Sequence, residues 1–231
     1  MPTRAPSLPS VIPFITLREG ETVDPLARLR ALPGRHGPIL GYAGGELPTD
    51  RDLHGVLWAR VRENPALDGQ REGAPRWLDM HPARQRRCMQ LLRCQIAGCP
   101  ATRPDGTRLF LFSGNAPAPD GRPLLVSKPP VCEQHAPVAA QLCPALTSDP
   151  YVVAARTARL YGVSGAWYRH TPRGPQPVES DDSPVPYGTY PHQYWILATQ
   201  MWRELRDYQV TRLTDLRPAP ATEASHGRHP R

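Results

Sequence analysis

An α+β fold built from short elements is what this chain predicts, on three observations. Hydrophobic residues make up 39% of the sequence and 30 of its 231 residues are proline, so loops and extended segments must take much of the length. Short apolar runs bounded by Gly, Pro and Asp recur along the chain and read as strands. Three segments, 81–93, 132–146 and 190–208, instead carry helical spacing.

Taken in order, residues 1–35 read as an extended N-terminal segment, because Pro2, Pro6, Pro9 and Pro13 forbid an early helix. "VIPFITL" (11–17) predicts an edge strand, since Pro13 cannot donate to a central ladder. "GPILGYAGG" (37–45) and "LHGVLWARV" (53–61) predict strands, and "NPALDGQREGAP" (64–75) a turn-rich loop. "HPARQRRCMQLLR" (81–93) predicts a helix with Pro82 at its first position. Cys88, Met89, Leu91 and Leu92 then gather on one side, with Arg86, Gln90 and Arg93 on the other.

"TRLFLFSG" (107–114) and "RPLLVSKPP" (122–130) predict a β-hairpin, and "CEQHAPVAAQLCPAL" (132–146) a helix. "DPYVVAARTARLYGVSGAWYRH" (149–170) suggests two strands with a turn near 156–158. "YPHQYWILATQMWRELRDY" (190–208) predicts an amphipathic helix, with Trp195, Ala198, Thr199 and Trp202 at i, i+3, i+4 and i+7. "QVTRLTDL" (209–216) is a further candidate strand, and residues 217–231 a disordered tail. Residues 36–216 are expected to form a single α+β domain.

The formal net charge of +7 is unevenly placed. Residues 1–79 and 171–231 each balance to zero, whereas 80–170 hold 10 Arg, Lys128 and 4 acids. A local excess of positive charge attracts anions, nucleic acid above all. Arg84, Arg86, Arg87 and Arg93 are therefore the candidate DNA or RNA contacts. Because 27 of the 28 basic residues are Arg, base composition of the gene accounts for part of this bias. No apolar run is long enough to span a bilayer and no secretion signal is evident, so a cytoplasmic protein without a membrane partner is expected.

The same middle segment holds all 5 cysteines. An odd number with no secretory signal favours reduced thiols or metal ligands over a disulfide framework. Cys94 and Cys99 flank a tight knuckle containing Gly98, and Cys132 and His135 sit three apart at a helix start. A structural Zn2+ takes four such ligands as two closely spaced pairs. The order knuckle, hairpin, helix over residues 88–146 is that of a treble-clef zinc module. It would pack with the N-terminal strands and the C-terminal helix. Cys88 and Cys143 fall on the apolar sides of their helices, and either is an alternative ligand should Cys99 point away.

"RQRRCMQLLRCQI", "PPVCEQHAPVAAQLCP" and "WILATQMWREL" together resemble a group of uncharacterised proteins of actinomycetes and their phages. Those proteins carry a "CQVCG"-type knuckle and then a second Cys-x2-Cys, and the resemblance spans roughly residues 10–215. Ala97 stands where the group has its second cysteine, with Cys99 two places later, and His135 stands where it has the last. The resemblance implies a zinc-binding, treble-clef-like module and brings no established activity.

Four protein ligands leave no open position for a catalytic water. A His-Asn-His nuclease is built on the same module but needs a general-base histidine on its first hairpin strand. That strand is Arg108-Leu109-Phe110-Leu111-Phe112, His135 is already a ligand, and Asn115 has no histidine nearby. Glycine-rich phosphate loops and a Gly-x-Ser-x-Gly elbow are missing too, so no small-molecule substrate is evident. Asp181 and Asp182 read as a solvated acidic patch. The sequence thus points to a non-enzymatic, zinc-containing protein that binds nucleic acid. The alternatives are a protein-interaction or scaffold protein of a mobile element and, behind it, a degenerate or active nuclease.

Overall fold

Two long antiparallel strands organise the computed structural model, which describes residues 11–24, 27–67, 70–114, 121–143, 146, 150–179 and 183–216. The described chain is mixed α+β and mostly strand. In order it runs β1 (Thr16–Arg18), β2 (Leu29–Gly34), β3 (Gly37–Tyr42), β4 (Leu57–Trp58), β5 (Ala66–Leu67), β6 (Gln70–Arg71), β7 (Pro75–Met80) and α1 (Pro82–Leu91). It continues through β8 (Arg108–Phe112), β9 (Leu124–Val126), α2 (Ala136–Leu142), β10 (Tyr151–Arg169), β11 (Gln176–Val178), β12 (Val185–Pro186) and β13 (Ile196–Arg212).

β10 pairs with β13 from Tyr151↔Arg212 to Trp167↔Ile196. The outer edge of β10 is covered in pieces by β8, β12 and β11. β12 comes so close at Gly162 that a Cβ there would lie 1.9 Å from the Val185 carbonyl oxygen, which explains the glycine. The outer edge of β13 is covered by β4, running parallel at Leu197–Ala198, and by β9 at Arg203–Leu205.

Between those two short strands the edge is closed by a side chain. The Gln85 amide donates to the carbonyls of Ser127 (2.7 Å) and Met201 (2.9 Å), and its Oε1 accepts from the Met201 N–H at 3.0 Å. Gln85 thus supplies in the ladder what a strand residue would, and docks α1 on the sheet. Arg203, also buried, donates through Nε to the Met89 carbonyl at 2.7 Å and through Nη2 to that of Gln90 at 3.2 Å. It thereby satisfies carbonyls that the end of α1 leaves open. Burial lowers its pKa to about 10, so it remains charged at neutral pH.

Three sequence expectations are corrected here. Residues 190–208 form not a helix but a 3-10 turn, His192–Trp195, followed by β13. Residues 151–169 form one strand, without the turn near 156–158. The runs at 107–114 and 122–130 do contain strands, β8 and β9, but the two do not form a hairpin. β8 joins β10 and β9 joins β13, so each strand lays its apolar side on the long ribbon. Phe110 and Val126 are both packed in the cluster around Val153 and Leu205.

Elsewhere the expected edge strand is β1, paired with β7, and the expected strand at 53–61 shrinks to Leu57–Trp58. The loop at 64–75 contains the small β5–β6 pair. Both β1 and β2 lie within the N-terminal segment 1–35. The tail 217–231, Asn115, Asp181 and Asp182 lie outside the described residues.

Candidate functional site

The knuckle is folded by its own backbone. Gly98 takes φ +66°, a left-handed conformation that suits glycine. The turn is closed by Gly98 N–H to the Cys94 carbonyl and by Cys94 N–H to the Cys99 carbonyl, both 2.8 Å. Residues 14 and 15 lie across it, with Phe14 N–H on the Ile96 carbonyl at 2.8 Å and Ile15 N–H on that of Gln95 at 3.3 Å. Opposite the knuckle, Val131 N–H donates to the Leu109 carbonyl at 2.8 Å, which carries Cys132 back from β8. Cys132 then opens a 3-10 turn, Glu133–His135, that leads into α2.

These contacts bring Cys94, Cys99, Cys132 and His135 together, with one ligand atom from each all within 4.8 Å of one another. Cys99 Sγ is 3.7 Å from Cys132 Sγ and 3.9 Å from His135 Nδ1, and Cys132 Sγ is 3.0 Å from that nitrogen. The four residues could therefore hold a metal ion. Cys94 is buried and the other three are partly so. Burial, aided by the neighbouring thiols, pushes the Cys132 thiol up to about 12. Crowded thiols of that kind ionise readily only when a cation replaces their protons.

Neither alternative ligand joins the group. Cys88 is fully buried, points its thiol at the Cys94 carbonyl (3.7 Å) and is pushed up to about 12 by burial. It is an inert core residue. Cys143 ends α2 and is not among the clustered residues. The apolar cluster under the site is built from Cys94, Ile96, Leu109, Val131, Ala136 and Ala139, so the knuckle and α2 share one core.

The four candidate arginines do not make one surface. Arg84 is buried. Its guanidinium forms a two-pronged ion pair with Glu21 at 2.7 and 2.6 Å and also donates to the Thr16 carbonyl at 2.8 Å. A buried, paired guanidinium is not available to phosphate, so Arg84 leaves the candidate interface. Arg93 donates to the Gly98 carbonyl at 2.9 Å and buttresses the knuckle. Arg86 lies over the Trp58 ring, 4.9 Å from its centroid, and donates to the carbonyls of Thr49 and Arg51, each 2.8 Å away. Arg87 is exposed.

Arg86 and Arg87 instead line one wall of a groove of about 990 Å3 between α1 and residues 47–62. Arg51, Arg60 and Arg62 line it too, paired with Glu46 (2.6 Å), Asp50 (2.6 Å) and Asp24 (3.8 Å). Three leucines at this groove are strongly exposed: Leu53 (93%), Leu91 (59%) and Leu47 (58%). The sequence pattern placed Leu91 on the buried side of its helix. The buried residues of α1 are Pro82, Arg84, Gln85, Cys88 and Met89, the two polar ones being taken in by Glu21 and the Thr16 carbonyl and by Ser127 and Met201.

The groove is held by Asp52. Its carboxylate accepts from the N–H groups of His54 (2.9 Å) and Val56 (3.1 Å), from Trp58 Nε1 (3.1 Å) and from the Tyr187 hydroxyl (2.9 Å). Nothing in the local sequence singles Asp52 out, since Tyr187 reaches it from 135 residues away. Among the described residues no helix is long and apolar enough to cross a membrane. Comparison with protein-family models, curated proteins and solved structures finds no match.

Proposed function

We propose that this is a non-enzymatic binding protein, stiffened by one structural zinc ion and engaging another protein through the groove beside α1. Zinc is the ion that three thiolates and an imidazole suit best. Zn–S bonds of about 2.3 Å in a tetrahedron imply sulfur separations of about 3.8 Å, and the 3.7 Å between Cys99 and Cys132 fits that edge. Cys94, Cys99, Cys132 and His135 would hold it, and a closed set of four makes its role mechanical. The order knuckle, β8, α2 is treble-clef-like, with the Leu109–Val131 bridge standing for a second hairpin strand.

The observation that carries the choice of partner is the groove's lining. Exposed Leu47, Leu53 and Leu91 beside Arg86 and Arg87, over the buried Trp58, make an apolar surface set with arginine, a composition found at protein-recognition sites. Nucleic acid is the second reading. Arg87 and the net charge of +7 favour it, while the pairing of Arg51, Arg60 and Arg62 with acids weighs against it.

Photo-crosslinking from position 53 in the producing cell, read by mass spectrometry, separates the two. A discrete protein adduct, lost in Leu91→Asp and insensitive to nuclease, is expected. Adducts to DNA or RNA, with affinity falling steeply between 50 and 200 mM salt as phosphate contacts require, would replace the protein reading by the nucleic-acid one.

A further inference from the structure

A second cleft, of about 230 Å3, is walled by β7, by the knuckle and by α2. Its floor is Ile15, Ile96, Leu111 and Ala139, all buried. Leu78, on its rim, is 82% exposed, although it sits in a strand whose neighbours pair with β1. Apolar cavities of roughly 150 Å3 already accept a benzene-sized guest, so this one has room for a larger apolar body. The apolar walls are joined by few polar groups, as in small-molecule sites generally.

The charges at the cleft are unequal. Asp79 is paired with Arg76 at 2.7 Å. Lys128, the sole lysine of the chain, has as its acceptor the Met80 thioether at 3.5 Å, a weak one. No ion pair reaches Lys128 among the described residues. An apolar cleft with one unneutralised ammonium at its mouth selects against cations and leaves a neutral guest without a partner for the charge. A single ammonium, with no second cation among the described lining residues, matches a monoanion.

We propose that this cleft binds an amphipathic carboxylate, with its acyl or aryl body among Ile15, Ile96, Leu111 and Ala139 and its carboxylate on Lys128. The site is independent of the groove beside α1. Because Ile96 lies between Cys94 and Cys99, and Ala139 on the helix that follows His135, the floor is part of the metal module.

The test is calorimetric titration of the purified full chain with decanoate and, in parallel, with 1-decanol. Saturable one-to-one binding of decanoate is expected. Lys128→Gln should weaken decanoate about fivefold, the worth of one partly exposed charge pair, and leave decanol unchanged. Leu142→Trp, which fills the cleft, should abolish both. Leu78→Asp, at a rim position with no burial to disturb, should weaken decanoate without altering Tm. The proposal is overturned by an absence of saturable decanoate binding, by equal affinity in Lys128→Gln, or by full affinity in a folded Leu142→Trp together with Leu78→Asp.

Discussion

Replacing Glu21 by alanine should unfold this protein more readily than any surface substitution, although Glu21 is not a member of the Cys/His group. The side chains of Glu21 and Arg84 are 0% and 2% exposed. The carboxylate accepts both guanidinium hydrogen bonds and also the N–H groups of Arg18 (2.8 Å) and Asn64 (3.2 Å). Its removal leaves the buried Arg84 with the Thr16 carbonyl and a longer pairing to Glu63 at 3.8 Å, and strands two backbone donors, a situation that costs about 3–5 kcal/mol. At about 2–4 °C per kcal/mol for a chain of this size, Tm should fall by about 6–20 °C.

The double variant Glu21→Leu with Arg84→Met should lose much less than either single change, since it removes both charges. Burial alone would raise the Glu21 pKa, but the Arg84 hydrogen bond and the backbone donors outweigh it and hold it below its ordinary value of 4.5. The ionised form therefore contributes stability above that pH, and the contribution is lost as pH falls through the lowered value. The gap between wild type and Glu21→Ala should be widest near neutrality and close in acid. Urea unfolding with metal content matched is the assay. A loss under about 1 kcal/mol at pH 7 would mean that the pair is solvated, and Arg84 would return to the list of surface contacts.

Other substitutions test other joints. Gln85→Leu should cost about 2–4 kcal/mol in urea unfolding, because the Met201 and Ser127 backbone groups lose a buried partner. Gly98→Ala meets only ordinary contact with the Phe14 ring (3.5 Å), so its cost is the left-handed backbone itself, about 1–2 kcal/mol. It should appear as weaker metal retention in competition with a chelator. Cys88→Ala should keep the metal content of the wild type, because its thiol faces a carbonyl and not the ligand group.

That Cys94, Cys99, Cys132 and His135 come together was legible because what gathers them is local: two short pairs, a glycine between one and a helix start beneath the other. The long strand β13 was not, and its bulge explains why. The pairing runs Ser164↔Gln200 and then Gly165↔Ala198, so Thr199 is an extra residue. Ile196 and Ala198 point into the core before it, Met201, Arg203 and Leu205 after it. A change of parity within one strand spaces apolar residues three and four apart and imitates a helix. β-branched Thr199 and the aromatic Trp202 and Tyr208 favour strand, but that preference was outweighed by the apparent period.

The arginine face failed for a different reason. Arg84, Arg86 and Arg93 were grouped by charge, yet what decides their placement is Glu21, Trp58 and the Gly98 carbonyl. Of these only Gly98 is close in sequence to its arginine. The same holds for Gln85 and Asp52, whose partners Met201 and Tyr187 are 116 and 135 residues away. Long-range polar pairing leaves no periodic trace.

Whether one ion ties the knuckle to α2 is best settled by native mass spectrometry of the chain purified with zinc present throughout, beside Cys132→Ser. One zinc per chain, displaced only on unfolding and lost in the variant, is the predicted result. A metal-free wild type of unchanged Tm, or a serine variant that keeps its zinc, would contradict the claim that three sulfurs and an imidazole clamp the centre of this fold.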